Sequence, residues 1–144
     1  MDETGDTLIL ALDTSGSEGS VALIKNGTVL LEESLPERRN YGRDLVPVLR
    51  NLFSKANFSP DRMDLLAVDT GPGSFTGLRV GITTAKMIAW AADTPVAPVV
   101  SLDALAFEQA QKLYKQGRHN AALLPLVDAY RDEVFVAAYK LSDV

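Results

Sequence analysis

The chain contains no cysteine and a single histidine among its 144 residues. Without a thiol there can be no disulfide, thiolate nucleophile, cysteine-type zinc site or iron-sulfur cluster. His119 lies in the polar stretch Lys115-Gln116-Gly117-Arg118-His119-Asn120, which reads as a solvated loop. Catalytic triads and His-pair metal centres therefore find no well-placed imidazole. Long apolar runs are missing too, since none approaches the roughly 20 residues that cross a bilayer. The opening Met1-Asp2-Glu3-Thr4-Gly5-Asp6 lacks the basic region of a signal peptide, so the expected compartment is the cytoplasm. Basic charge is scarce, with 14 Lys and Arg against 19 Asp and Glu for a net charge of -5. That balance argues against a chain that grips nucleic acid unassisted.

What is present is the composition of an ordinary globular domain, 47% apolar and 23% charged. Thr7 to Thr14 reads as a buried strand and Gly19 to Lys25 as a second. Asn26-Gly27 suits the two positive φ angles of a type I′ turn, so Thr28 to Leu35 should return antiparallel beside the second strand. Pro36 to Arg43 is a charged connection. Leu45, Val48, Leu49, Leu52, Phe53 and Ala56 then recur with helical spacing; a cap at Asp44 would put Pro47 harmlessly in the first turn, and an earlier start would make it a kink. This helix should end near Asn57 to Pro60.

Leu65 to Asp69 is a short buried strand that leads into a glycine-rich loop and a helix over Leu78 to Ala92. That helix is apolar or small nearly all round. Leu78, Ile82, Ala85, Ala89 and Ala92 lie on one side, with Val80, Gly81, Thr84, Ile88 and Ala91 on another. Two apolar faces need two partners, and the chain's own sheet supplies one. Pro95 to Val100 reads as a strand near an edge or with its ends outside the ladder, and Ser101 as the N-cap of a helix running to about Gln116. Ala122 to Ala129 and Glu133 to Leu141 look like strands joined by Tyr130-Arg131-Asp132. The alternation is that of an α/β layered domain with a mixed sheet.

Two loops could carry chemistry. Gly71-x-Gly73-x-x-x-Gly77 matches neither the Rossmann nor the P-loop spacing, and close seating of the helix on the sheet is the favoured role for its glycines. Asp13-Thr14-Ser15-Gly16 ends the first strand with a carboxylate and two hydroxyls. Phosphoryl transfer there would want a nearby cation, but Glu18 follows instead, so a strand-end turn is the better reading. Ser74 and Thr76 lack a nameable base.

Leu10-Ala11-Leu12-Asp13-Thr14-Ser15, Leu45-Val46-Pro47, Gly71-Pro72-Gly73-Ser74-Phe75-Thr76-Gly77-Leu78-Arg79-Val80-Gly81, Ser101 to Ala106 and Asp128 to Val134 together resemble the bacterial TsaB (YeaZ) family. The resemblance spans nearly the whole chain. It implies an actin-like (ASKHA) fold and a role in threonylcarbamoyladenosine modification of tRNA. It also implies a catalytic, metal-dependent homologue, TsaD, and an ATPase, TsaE, as partners, with tRNA met only through the complex.

In TsaD the corresponding segment carries Asn-His-x-x-x-His. Here Leu102 and Ala106 stand at the imidazole positions, so the chain is expected to hold no metal, need no cofactor and act through its surface. The implied contact is a four-helix one with TsaD or a second copy, through Leu45, Leu49, Leu52, Gly77, Val80, Gly81, Thr84 and Ile88. Residues 1–120 are expected to form the actin-like N-terminal lobe, and 121–144 the first hairpin of a second lobe that is largely absent. Half a cleft should bind ATP weakly or not at all. Tyr41-Gly42 departs from the His-Ser that the family often carries ahead of its Leu-Leu-Pro. Two other readings stand behind this one, an actin-like phosphotransferase using Asp13 and the glycine loop, and a glycoprotease-like peptidase.

Overall fold

The computed structural model describes residues 6–36 and 40–142, so part of the charged connection and both chain ends lie outside the described residues. Strands β1 (Leu8–Asp13), β2 (Ser20–Lys25) and β3 (Thr28–Ser34) are followed by α1 (Tyr41–Ala56) and a 3-10 turn at Pro60–Arg62. Next come β4 (Leu65–Asp69), α2 (Phe75–Ala92), β5 (Val96–Val99) and α3 (Ser101–Lys115). Four short strands complete the chain: β6 (Ala121–Leu123), β7 (Leu126–Tyr130), β8 (Glu133–Val136) and β9 (Tyr139–Leu141).

The main sheet has the order β3-β2-β1-β4-β5. β1 and β2 pair antiparallel, as do β2 and β3, while β1 with β4 and β4 with β5 are parallel. Asn26 and Gly27 adopt φ of 50° and 76° and join Lys25 to its partner Thr28, the hairpin that their residue types demand. β5 is an edge strand, which is why it tolerates proline. Pro95 and Val99 turn their carbonyls toward β4, accepting from Leu66 and Thr70, so the nitrogen of Pro98 faces the open edge.

One apolar core joins the sheet to α1 and α2, with Leu10, Leu23, Leu52 and Leu66 fully enclosed. A second, smaller cluster joins Ala106 and Leu113 of α3 to Leu123 of β6, flanked by Tyr139 and Leu141 of β9. α3 thus shares its apolar face with the terminal strands.

Several boundaries differ from the sequence expectation. α1 begins at Tyr41 after Asn40, so Pro47 lies inside the helix and Asp44 in its first turn. The proline ring is tolerated on the exposed side of α1, where water can satisfy the carbonyl that loses its partner. α2 begins one turn earlier than its apolar pattern, because Ser74 caps it by accepting from the Gly77 N–H. Ser101 is the first residue of α3 and not its cap, since its hydroxyl is engaged by Asp69. The two closing strands are each split in two. β6 pairs with β9 and β7 with β8, and Pro125, which cannot donate to a ladder, sits at the first break.

Candidate functional site

At the end of β1, Asp13 Oδ1 accepts from both the backbone N–H and the hydroxyl of Ser15, at 2.8 and 2.7 Å. This is the strand-end turn that its residue types favour. Thr14 points the other way and is buried. Its hydroxyl donates to the Gly77 carbonyl at 2.8 Å, and the Ser74 N–H donates to the Ser15 carbonyl at 2.6 Å. Strand end and helix start are therefore in direct contact.

Glycine makes this approach possible. A β-carbon on Gly73 would lie 2.5 Å from the Ser15 carbonyl oxygen, and one on Gly77 2.0 Å from that of Thr14. On Gly81 it would lie 2.2 Å from the Thr14 hydroxyl. Gly71 has φ of 97°, a backbone shape that side-chain-bearing residues avoid. The glycine run is a seat for α2. Phe75, next in the run, is exposed with the Arg79 guanidinium 4.7 Å from its ring centre, a cation–π pair.

Behind the loop lies Asp69, at the end of β4. Its Oδ1 accepts from the Gly71 N–H at 2.6 Å, and the Ser101 hydroxyl reaches both of its oxygens at 2.7 and 2.9 Å. Burial pushes the Asp69 carboxyl above the ordinary carboxylate range, the bonds from Gly71 and Ser101 draw it back only in part, and the Asp13 charge adds to the rise.

Two clefts open between this region and the terminal strands. The larger, about 680 Å³, is lined on one side by Ser15, Tyr41, Ser74 and Thr76 and on the other by Val127 and Tyr130. The Tyr41 hydroxyl donates to the Gly16 carbonyl at 2.9 Å and shapes the floor, so the departure from His-Ser installs a buried aromatic there. The smaller, about 340 Å³, has Asp13, Asp69 and Pro72 facing Ala104 and Glu108. No Lys or Arg is found among the described residues that line either cleft. A polyphosphate would meet carboxylates there without a described cation to balance it. Among the described residues no group of three His, Asp or Glu is placed to share a metal ion. Leu102 and Ala106 are buried one turn apart on α3, with carbon side chains that cannot ligate.

The motif residues Asp13, Thr14, Ser15, Gly71, Pro72, Gly73, Ser74, Phe75, Thr76, Gly77 and Arg79 converge on the junction of β1, β4 and α2. Five of the residues expected at the helix contact lie inside the chain itself. Leu45, Leu49 and Leu52 are enclosed in the chain's own core, and Gly77 and Gly81 are covered by Thr14. Val80, Thr84 and Ile88 are half-buried, with Val80 and Ile88 packed on that core. The apolar side chains that α2 does present are Phe75, Met87 and Trp90, the last 86% exposed. Helical spacing could have found them, because they lie on the arc opposite Gly77, Gly81, Ala85 and Ala89. Asp69 also escaped the sequence reading, for nothing in Leu65 to Asp69 reveals that its carboxylate is held by a residue on another helix.

A family model described as TsaD, tRNA N6-adenosine threonylcarbamoyltransferase, matches residues 32–143. The chain is 35% identical over 133 residues to the tRNA threonylcarbamoyladenosine biosynthesis protein TsaB of Bacillus subtilis, covering 92% of this chain and 55% of that protein. It is likewise 35% identical over 136 residues to TsaB of Escherichia coli, covering 92% and 54%. Among solved structures, YeaZ from Pseudomonas aeruginosa superposes with a TM-score of 0.79 at 32% identity, covering 94% of this chain and 61% of that one. The chain spans about half the length of the curated relatives that it matches. By sequence and by fold, the chain belongs to the TsaD family, in its TsaB (YeaZ) group.

Proposed function

We propose that the chain serves threonylcarbamoyladenosine biosynthesis as a non-catalytic subunit that docks a TsaD homologue through α2. The observation that carries this reading is the outer arc of α2, where Phe75, Met87 and Trp90 stand exposed on a well-packed helix. A large bare aromatic side chain is the kind of group that anchors a protein interface. The family motif aligned with the metal-binding histidines of TsaD holds Leu102 and Ala106, which supports a role outside the chemistry. TsaE is the expected third component. A net charge of -5 favours partners that supply the phosphate contacts to tRNA.

When alone, the chain is expected to use the same arc against a second copy of itself. Residues 121–144 act in this reading as the opening of a second unit, supported by the exposure of Leu126, Val134 and Val136 on the β7–β8 ribbon. No helix among the described residues is long and apolar enough to cross a membrane, and the cytoplasm is the proposed compartment.

The test is co-elution with a TsaD homologue in size-exclusion chromatography, followed by tRNA modification with TsaE and the purified components. Complex formation that Trp90→Glu abolishes supports the reading. Failure to associate ends it. Tight ATP binding with turnover by the chain alone would instead favour the phosphotransferase reading.

A further inference from the structure

We infer that the contact between Asp69 and Ser101 is a latch that fixes the angle between two separately packed units of this chain, and with it the width of the clefts between them. The inference does not depend on which partner α2 meets. Its first support is the division of the interior. The core of β1, β2, β4, α1 and α2 does not include α3, whose Ala106 and Leu113 join β6 and β9 instead, so by packing the second unit takes in α3 as well as the strands after residue 120. Each cluster can keep its packing while the other turns, which is the condition for a hinge rather than continuous deformation.

The second support is where the units meet. Chain continuity runs from β5 through Val100 into Ser101. At that point the Ser101 N–H donates to the Gly71 carbonyl at 2.9 Å, and the Ser101 hydroxyl donates to Asp69. Asp69 holds the Gly71 N–H with the same oxygen, so one carboxylate ties the glycine loop to the first turn of α3. Asp69 and Ser101 are both buried, where water cannot readily replace a lost bond, and a carboxylate at a helix N-terminus gains from the helix dipole.

The third support is leverage. α3 has 15 residues at about 1.5 Å rise each, so a small rotation at Ser101 moves its far end and the strands packed on it by much more. Both clefts lie between the units. Val127 faces into each of them from β7, opposite Ser15.

The absence of cysteine allows a clean distance measurement. Ser54→Cys on α1 and Gln116→Cys after α3 are exposed positions, one on each unit, that can carry spin labels. Pulsed dipolar spectroscopy on this background should give one narrow distance distribution. Ser101→Thr keeps a hydroxyl and should preserve it, whereas Ser101→Val, of similar shape but without the hydroxyl, should broaden or shift it while far-UV circular dichroism stays unchanged. Should the Val variant fail to fold, Asp69→Leu, which removes both acceptor oxygens at similar size, is read in the same way and should also broaden the distribution. A narrow, unshifted distribution in the variant lacking the latch overturns the inference, as does equal broadening in the Thr and Val variants.

Discussion

Thr14 and Gly77 are locked together from both sides: the Thr14 hydroxyl donates to the Gly77 carbonyl at 2.8 Å, and the Thr14 carbonyl leaves no room for a β-carbon on Gly77. Gly77→Ala must push α2 off the end of β1 or bend the strand. Overpacking of this kind costs about 1–3 kcal/mol, so the midpoint of urea unfolding should fall. An unchanged midpoint would mean that α2 is seated more loosely than these distances require.

Gly42 makes the matched control. It is also helical, in α1, but a β-carbon there meets nothing within 4 Å. Gly42→Ala should therefore raise stability by about 0.5–1 kcal/mol through backbone entropy and helix propensity. The two glycine substitutions should shift the same unfolding curve in opposite directions.

Asp69 links stability to pH. Its carboxyl is raised by burial, so the folded chain holds the proton more readily than the unfolded one. The stabilisation tied to this group is fully present below the pKa of the unfolded carboxyl and is lost as pH rises through the higher folded value. Replacement by Asn removes that dependence. The stability of the wild-type chain relative to Asp69→Asn should thus increase as pH is lowered from above the raised folded value to that of the unfolded carboxyl and level off below it, measured by denaturant unfolding at a series of pH values. A difference that shrinks on acidification would contradict the buried setting of Asp69.

The sequence made some of this legible and hid the rest for physical reasons. β4 falls at the bounds that its apolar run predicts, and Asn26-Gly27 announces the hairpin, because both signals are local. Ser101 reads as a helix cap because capping is also a local property, yet a carboxylate 32 residues away claims its hydroxyl. Helical spacing groups Gly81 with Val80 and Ile88 on a second apolar face. Periodicity measures hydrophobicity, which glycine lacks, whereas the burial of Gly81 is decided by the hydroxyl of Thr14. Similarly, a period marks Leu45, Leu49 and Leu52 as one stripe of α1 but cannot say that the chain's own core consumes it.

Surface substitution separates the outer arc of α2 from its inner one. Met87→Lys replaces an exposed side chain and should leave the unfolding midpoint within about 0.5 kcal/mol of wild type, while weakening association with a TsaD homologue in sizing experiments. Ile88→Glu, by contrast, puts a charge against the core and should lower stability before any partner is added. Loss of association in the second variant without loss of stability would mean that the partner reads the other side of the helix.

Trp90 is the one tryptophan of the sequence and belongs to the proposed contact, so its fluorescence reports that site without a label. Titration of the chain with a tryptophan-free TsaD homologue reads docking through α2 at this side chain. The expected result is a solvent-exposed emission maximum for the chain under dilute conditions and a saturable shift to shorter wavelength as the complex forms. An emission maximum that stays fixed while the two proteins co-elute would place the interface elsewhere and contradict docking through α2.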